Sequence, residues 1–310
     1  MKLLVVGIAG QVGDTLALQA IDAGHEVVGT YRQREPTVPG VETFPLDKTD
    51  AAQVRQLMHE QRPQVVVDTS ALHNVDYCES HSEEAFKVNR DGTRFLAEEA
   101  RAAHARFAFI STDFVFDGSG APPYTEAAEI HPQSEYARSK AEGEHAALAP
   151  NPEHNLVVRP SVIYSWWGPR HQSASSSGKG VNFGTWLVEE VRQGREVRII
   201  DDLVTSPTLA SDLAGAILAL LDHHAHGIYH TAGATAVDRY HFSKALVERL
   251  GLDAGKVRAV HAAEFAQKAP RPSNSSLDSS QLARDTGYRM LELPAALDRF
   301  AQSRDEDLQA

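Results

Sequence analysis

Three glycines at intervals of three, in Gly7-Ile8-Ala9-Gly10-Gln11-Val12-Gly13, stand between an apolar run at 3–6 and a stretch of helical spacing at 12–23. Such a turn brings backbone N–H groups and the positive end of a helix dipole to one point, and glycine lets a pyrophosphate approach that point closely. A strand, a glycine turn and a helix in that order constrain the fold more than anything else in the chain, because they form the first unit of a parallel α/β sheet. A tight strand–helix turn without a ligand is the alternative, and the second strand that follows directly argues for the nucleotide.

The first half of the chain repeats this unit. Runs rich in β-branched residues at 3–6, 26–30, 41–44, 64–68, 107–111 and 156–159 alternate with helical spacing at 12–23, 51–61, 81–103 and 135–148. The pattern predicts a Rossmann-type doubly wound parallel sheet with helices on both faces. After Arg159-Pro160 the texture changes, and 165–180, with Trp166, Trp167, the Ser-rich stretch of Ser173, Ser175, Ser176 and Ser177, Gly178 and Gly180, reads as a mobile loop. A helix at 182–193, strands at 197–200 and 227–231 and helices at 210–221, 239–250 and 294–301 follow, and the acidic tail 304–310 is expected to fray. A chain of 310 residues suits one large domain or two modest ones. We expect a dinucleotide-binding domain from 1–164 and 205–230, and a smaller, interleaved α/β substrate lobe from 165–204 and 231–310.

Charge excludes one class of partner. The 42 acids outnumber 30 bases, for a formal charge of -12, and no Lys/Arg block appears, so a sequence-independent grip on nucleic acid is not expected. The apolar run at 3–6 is interrupted by Gly7, too early for a signal peptide or a membrane span. The single cysteine, Cys78, cannot form an intrachain disulfide and points to a reducing, cytoplasmic compartment. His223, His224 and His226 sit at a helix end without a ligand scaffold, so no metal site is expected.

Two further signals concern chemistry. The second strand ends in Tyr31-Arg32, with Arg34 beyond and no acid at the tip. An acid there would bind ribose hydroxyls, whereas a cation pairs with a 2′-phosphate, which favours NADPH over NADH; the alternative is a solvated loop cation. Reduction also needs a group that protonates a carbonyl oxygen, and a tyrosine one helical turn before a lysine supplies it, the ammonium lowering the phenol pKa. Tyr136/Lys140 and Tyr240/Lys244 both have this spacing. Position decides between them. Tyr136 follows the strand that ends in Ser111-Thr112-Asp113, whose hydroxyls lie at the carboxyl edge of the sheet, whereas Tyr240 lies beyond the last sheet strand.

Together the glycine turn, Ser111-Thr112-Asp113-Phe114-Val115-Phe116-Asp117-Gly118 and Tyr136-Ala137-Arg138-Ser139-Lys140 resemble the dTDP-4-dehydrorhamnose reductase branch of the extended short-chain dehydrogenases/reductases. Ile200-Asp201-Asp202, Ser206-Pro207-Thr208, Asp212-Leu213-Ala214 and the segment from Arg271 to Asp278 extend the resemblance over nearly the whole chain. It implies that Tyr136 donates the proton, that Lys140 holds the nicotinamide ribose and that Thr112 bonds the substrate carbonyl, with Ser111 as runner-up. It further implies that Gly7, Gly10, Gln11, Val12 and Gly13 cradle the pyrophosphate, that Asp47 and Lys48 flank the adenine and that Thr69, Ser70 and Ala71 line the cofactor. Asp113, Arg271 and Asn274 fall on the substrate side, the last two as ligand contacts or as braces.

The departures from the family pattern concern the sugar pocket. Leu72 stands where the branch carries an aromatic residue and Val162 where it carries a tryptophan, so Trp166 and Trp167 are candidates for a replacement stacking surface, or for loop anchors. The expected activity is reduction of a keto group on a nucleotide-activated sugar, with NADPH or NADH as cofactor and a homodimer as the expected assembly. Three alternatives remain: an epimerase or dehydratase of the same superfamily, a non-catalytic regulatory subunit like the methionine adenosyltransferase β subunit, and a reductase of a ketone without a nucleotide.

Overall fold

The computed structural model describes residues 1–33, 35–166 and 182–309. Most of the loop expected at 165–180, with Trp167 and Arg170, lies outside them, as does Arg34. The chain begins with β1 (Lys2–Val6), α1 (Gln11–Asp22), β2 (Glu26–Tyr31), β3 (Glu42–Pro45), α2 (Ala51–Gln61) and β4 (Val65–Asp68). Helices α3 (Val75–Ser80), α4 (Ser82–Phe86) and α5 (Gly92–Ala102) lead to β5 (Arg106–Ile110), α6 (Glu135–Leu148) and β6 (Leu156–Arg159). There follow β7 (Ile163–Tyr164), α7 (Phe183–Arg192), β8 (Val197–Ile200), β9 (Val204–Thr205), β10 (Thr208–Leu209), α8 (Ala210–Asp222) and β11 (Gly227–His230). The remainder is β12 (Val237–Asp238), α9 (Arg239–Arg249), β13 (Val257–Val260), α10 (Ser280–Thr286) and α11 (Leu293–Gln309).

Seven of these strands form one parallel sheet in the order β11-β6-β5-β4-β1-β2-β3. Alternation along each strand divides the core into two layers. Leu3, Val5, Val65, Val67, Ile110 and Val158 pack with Leu16, Leu213 and Ile217 of α1 and α8, while Leu4, Val6, Val66, Phe107, Phe109 and Val157 pack with Val54, Leu96 and Ala147 of α2, α5 and α6. Each fully buried aliphatic or aromatic side chain contributes about 1.5–3 kcal/mol, which is why strands covered on both faces are apolar throughout. A third cluster, including Tyr164, Trp166, Leu187, Phe242, Leu246 and Phe300, forms a separate core. Short ladders brace it: β8 with β13 and β7 with β10 in parallel, β9 with β12 antiparallel.

Two expectations change. The helix expected over 81–103 is broken by a π-helical turn at Lys87–Asp91, where Asn89 is fully buried. Its side chain accepts from the Leu72 N–H at 2.9 Å and donates to the Leu72 carbonyl at 3.0 Å and to Ser139 Oγ at 2.9 Å. The extra residue of the π turn accommodates a side chain that ties the cofactor-side loop to α6. The tail expected to fray is instead helical, because α11 runs on to Gln309.

Candidate active site

At two of its three glycines, Gly7 and Gly13, the turn leaves no room for a side chain. Gly7 has φ +86°, and a Cβ there would come within 2.8 Å of Ser70 Cβ; one on Gly13 would approach the Gly7 carbonyl oxygen at 2.6 Å and Ile8 Cα at 2.7 Å. Gly10 is the N-cap of α1 and brings no capping side chain, so N–H groups of the first turn remain available to an anion. Val12 is buried in the core behind the turn. Gln11 connects it to the far side of the cleft, its Oε1 accepting from Ser165 Oγ at 2.9 Å and its Nε2 donating to the Ile163 carbonyl at 3.4 Å. Thr69 Oγ1 donates to the carbonyls of Val6 and Gly7 at 2.8 and 3.2 Å, and half-buried Ala71 follows Ser70.

At the tip of β2, Arg32 is exposed and its Nε lies 3.9 Å from Asp47 Oδ2, a loose pair that leaves the guanidinium open. Partial burial pushes the Asp47 carboxyl up, but hydrogen bonds from Thr49 and the charges of Arg32 and Lys87 hold it below the usual carboxylate range. Lys48, expected beside the adenine, is buried, and its ammonium lies 2.7 Å from Asp68 Oδ2, turned inward by that buried carboxylate.

The chain leaves β5 through Ser111, Thr112 and Asp113, all buried. Ser111 Oγ donates to Glu144 Oε1 at 2.5 Å, and Glu144 is itself paired with buried Arg159 at 2.6 Å, so the Ser111 hydroxyl is committed inward. Thr112 Oγ1 donates to Asp113 Oδ1 at 3.1 Å and accepts from the Phe114 N–H at 3.2 Å. Asp113 Oδ2 accepts from Ser161 and Ser275, at 2.7 and 2.5 Å, which stitches the end of β5 to segments that follow β6 and α9. Its carboxyl is pushed above the usual range by burial, which these hydrogen bonds oppose.

Helix α6 starts at the Ser134 cap and so presents Tyr136 in its first turn beside this hydroxyl row. The Tyr136 ring meets that of Phe114 edge to face at 6.2 Å. Burial raises its pKa, the hydrogen bond with Thr112 opposes the rise, and Asp113 and Cys78 add to it. The expected lowering by Lys140 is not found, because that ammonium is held elsewhere: Nζ donates to the Ile110 carbonyl at 2.6 Å and lies 3.9 Å from the centre of the Phe109 ring. Burial and the Lys48 charge pull Lys140 down to about 7, against Asp68 and Glu144.

On the substrate side the expected residues separate. Val162 is half-buried with φ +38°, a left-handed conformation that costs a β-branched residue about 1–3 kcal/mol and is imposed by the β7–β10 ladder that starts next to it. Of the two roles expected for Trp166, stacking surface or loop anchor, its surroundings fit the anchor: it is 9% exposed, packs edge to face on Phe300 and donates from Nε1 to Asp307 Oδ2 at 3.0 Å. It anchors α11 to the root of the segment at 167–181, and Trp167 is outside the described residues. Arg271 braces, with Nη2 3.1 Å from Asp76 Oδ1 and Nη1 donating to the Ala269 carbonyl at 2.9 Å. Asn274 closes its own turn, its Oδ1 accepting from the N–H and Oγ of Ser276 at 3.0 and 2.8 Å.

Arg239 is the residue that sequence reasoning missed. It is half-buried, its guanidinium lies over the Phe183 ring at 5.7 Å, and it acts electrostatically on Asp113 and Arg271. Among the described residues it has no hydrogen-bond or ion-pair partner. The signal was its place as first residue of a helix, where the macrodipole disfavours a cation. A separate group, Asp201, Asp202 and His261, is close enough to share an ion, but it is largely exposed and His261 pairs with both carboxylates.

The family described as RmlD substrate binding domain matches residues 1–305. A dTDP-4-dehydrorhamnose reductase of Mycobacterium tuberculosis is 35% identical over 288 residues, covering 91% of this chain and 86% of the relative. A crystal structure of a dTDP-4-dehydrorhamnose reductase from Clostridium acetobutylicum superposes with a TM-score of 0.82 at 30% identity, over 98% of this chain and 100% of that one. The reductase of Bacillus anthracis, solved in complex with NADP, shares the fold at 24% identity and a TM-score of 0.82, over 97% and 99% of the two chains. The chain belongs to this family of NAD(P)-dependent oxidoreductases.

Proposed function

We propose that this member of the family reduces a keto group on a nucleotide-activated sugar, with NADPH favoured over NADH. One observation carries the reading: Tyr136, Thr112 and Lys140 converge at the carboxyl edge of the sheet, which also carries the turn whose Gly7 and Gly13 leave no room for a side chain. A nicotinamide cofactor held at the turn of Gly7, Gly10 and Gly13 would supply the hydride that the carbonyl carbon takes up. Tyr136, kept protonated by its buried setting, gives its proton to the oxygen, and Thr112 rather than the committed Ser111 supports that oxygen as charge develops. Lys140 lies one turn further along α6, and in this reading it turns from the Ile110 carbonyl to hold the ribose. Residues 1–164 and 205–230 hold the cofactor, and 165–204 and 231–310 face the substrate. Arg239, a half-buried cation that has no hydrogen-bond or ion-pair partner among the described residues, supports a substrate that brings a diphosphate. Arg32, open at the tip of β2, supports a 2′-phosphate.

The test is oxidation of NADPH and NADH by the purified protein against a panel of nucleotide-linked 4-keto sugars. Turnover with at least one of them, faster with NADPH, is expected. Tightly bound NAD⁺ without net consumption would replace this reading with an epimerase or dehydratase, and cofactor binding without turnover of any keto sugar would replace it with a regulatory subunit.

A further inference from the structure

Beneath the glycine turn lie two charges that the reduction does not use. Asp68, at the end of β4, has no exposed surface, and Lys48, between β3 and α2, is 6% exposed. Removing two charges from water costs several kcal/mol each unless their remaining protons and lone pairs are matched, and here they are. Besides the Lys48 ammonium, Asp68 receives Thr93 Oγ1 at 3.2 Å on Oδ2, and Ser70 Oγ and N–H at 2.6 and 3.1 Å on Oδ1. Lys48 Nζ donates a second bond to the Ser70 carbonyl at 2.9 Å. The lysine stem passes α5 only because Gly92 leaves room for it; a Cβ there would lie 2.8 Å from Lys48 Cγ.

Ser70 is thereby gripped at its N–H, its hydroxyl and its carbonyl, and Ser70 is the residue against which Gly7 packs. The same two charges reach Lys140 with opposite sign. The other carboxylate acting on Lys140, Glu144, is already bonded by Arg159 and Ser111. The Ile110 carbonyl and Phe109 ring meet the ammonium from β5, His73 couples to it from the loop after β4, and Tyr136 precedes it by one turn of α6. Asp68 is the one of these partners whose charge is balanced against a second lysine.

We propose that Lys48 and Asp68 are positioning residues for the cofactor site: as a pair they hold Ser70 beneath the glycine turn, and by their opposed charges they balance Lys140. The proposal deepens the reading of Lys140 as a cofactor residue, and its test does not depend on turnover. The full chain has eight lysines, so it can be labelled with ¹³Cε-lysine and titrated by NMR, the Lys140 signal being identified by its loss in Lys140→Met. In Asp68→Asn the midpoint of Lys140 falls, because Lys48 is unopposed; in Lys48→Met it rises, because Asp68 is unopposed; in the double variant it returns near that of the parent. NADPH affinity, measured by fluorescence, falls about tenfold in Lys48→Met, and stays reduced in the double variant, which also lacks the donor to the Ser70 carbonyl. Should Asp68→Asn fail to fold with its unpaired ammonium, Lys48→Met and the double variant decide. Midpoints that stay put or move the same way overturn the charge balance, and unchanged NADPH affinity in both Lys48→Met and the double variant overturns the grip on Ser70.

Discussion

Two tyrosine–lysine pairs with identical spacing occupy this chain, and their surroundings separate them completely. In α6, Lys140 is 2% exposed, held by a backbone carbonyl and an aromatic face, and Tyr136 lies among Thr112, Asp113 and Phe114. In α9, Lys244 folds over the Tyr240 ring at 5.8 Å and both side chains are half-buried. A spacing of four places two side chains together on any helix. What sets the α6 pair apart as the candidate proton donor and its companion is the end of a sheet strand arriving beneath the helix, with hydroxyls and a buried carboxylate.

The widest separation is expected from the tyrosines themselves. Tyr136→Phe should lower kcat by about 10²–10⁴-fold while leaving NADPH affinity intact, and Tyr240→Phe should leave both unchanged; comparable losses in the two variants would erase the distinction. A smaller effect tests whether α9 contributes through the residue next to Tyr240. Arg239→Gln should raise KM for a nucleotide-linked sugar about tenfold or more with kcat largely kept, the loss of a charge-assisted contact; an unchanged KM would leave α9 a purely structural helix. The smallest effect is expected where the cation is most exposed. Arg32→Ala should reduce the kcat/KM advantage of NADPH over NADH by about fivefold at most, as exposed ion pairs contribute about 1 kcal/mol or less; a full reversal of preference would show that exposure is a poor guide to a cation's role here.

Much of the sheet was legible because period and composition suffice for it. The helix at Glu135–Leu148 and the strands at Leu156–Arg159 and Val197–Ile200 fall where their apolar spacing places them. The π turn was not, since its cause is one buried asparagine whose partners are 17 and 50 residues away. Lys48 and Trp166 show the same limit within the site. Each stands in a motif or loop that suggests a ligand, yet a buried carboxylate turns Lys48 inward, and an acid on α11 turns Trp166 into an anchor. Arg239 ran the other way: nothing around it in sequence names a ligand, and it stands out because among the described residues it has no hydrogen-bond or ion-pair partner.

The bond from Trp166 to Asp307 spans 141 residues, and it gives the molecule an order of completion during synthesis. The glycine turn, the hydroxyl row and Tyr136 all have their sheet once β11 has paired with β6. The segment that leaves Trp166 gains its fixed root only after α11 has emerged and docked. Since domains fold as units while the chain is still being made, the half built around the glycine turn can be finished before Trp166 has the partner that fixes it.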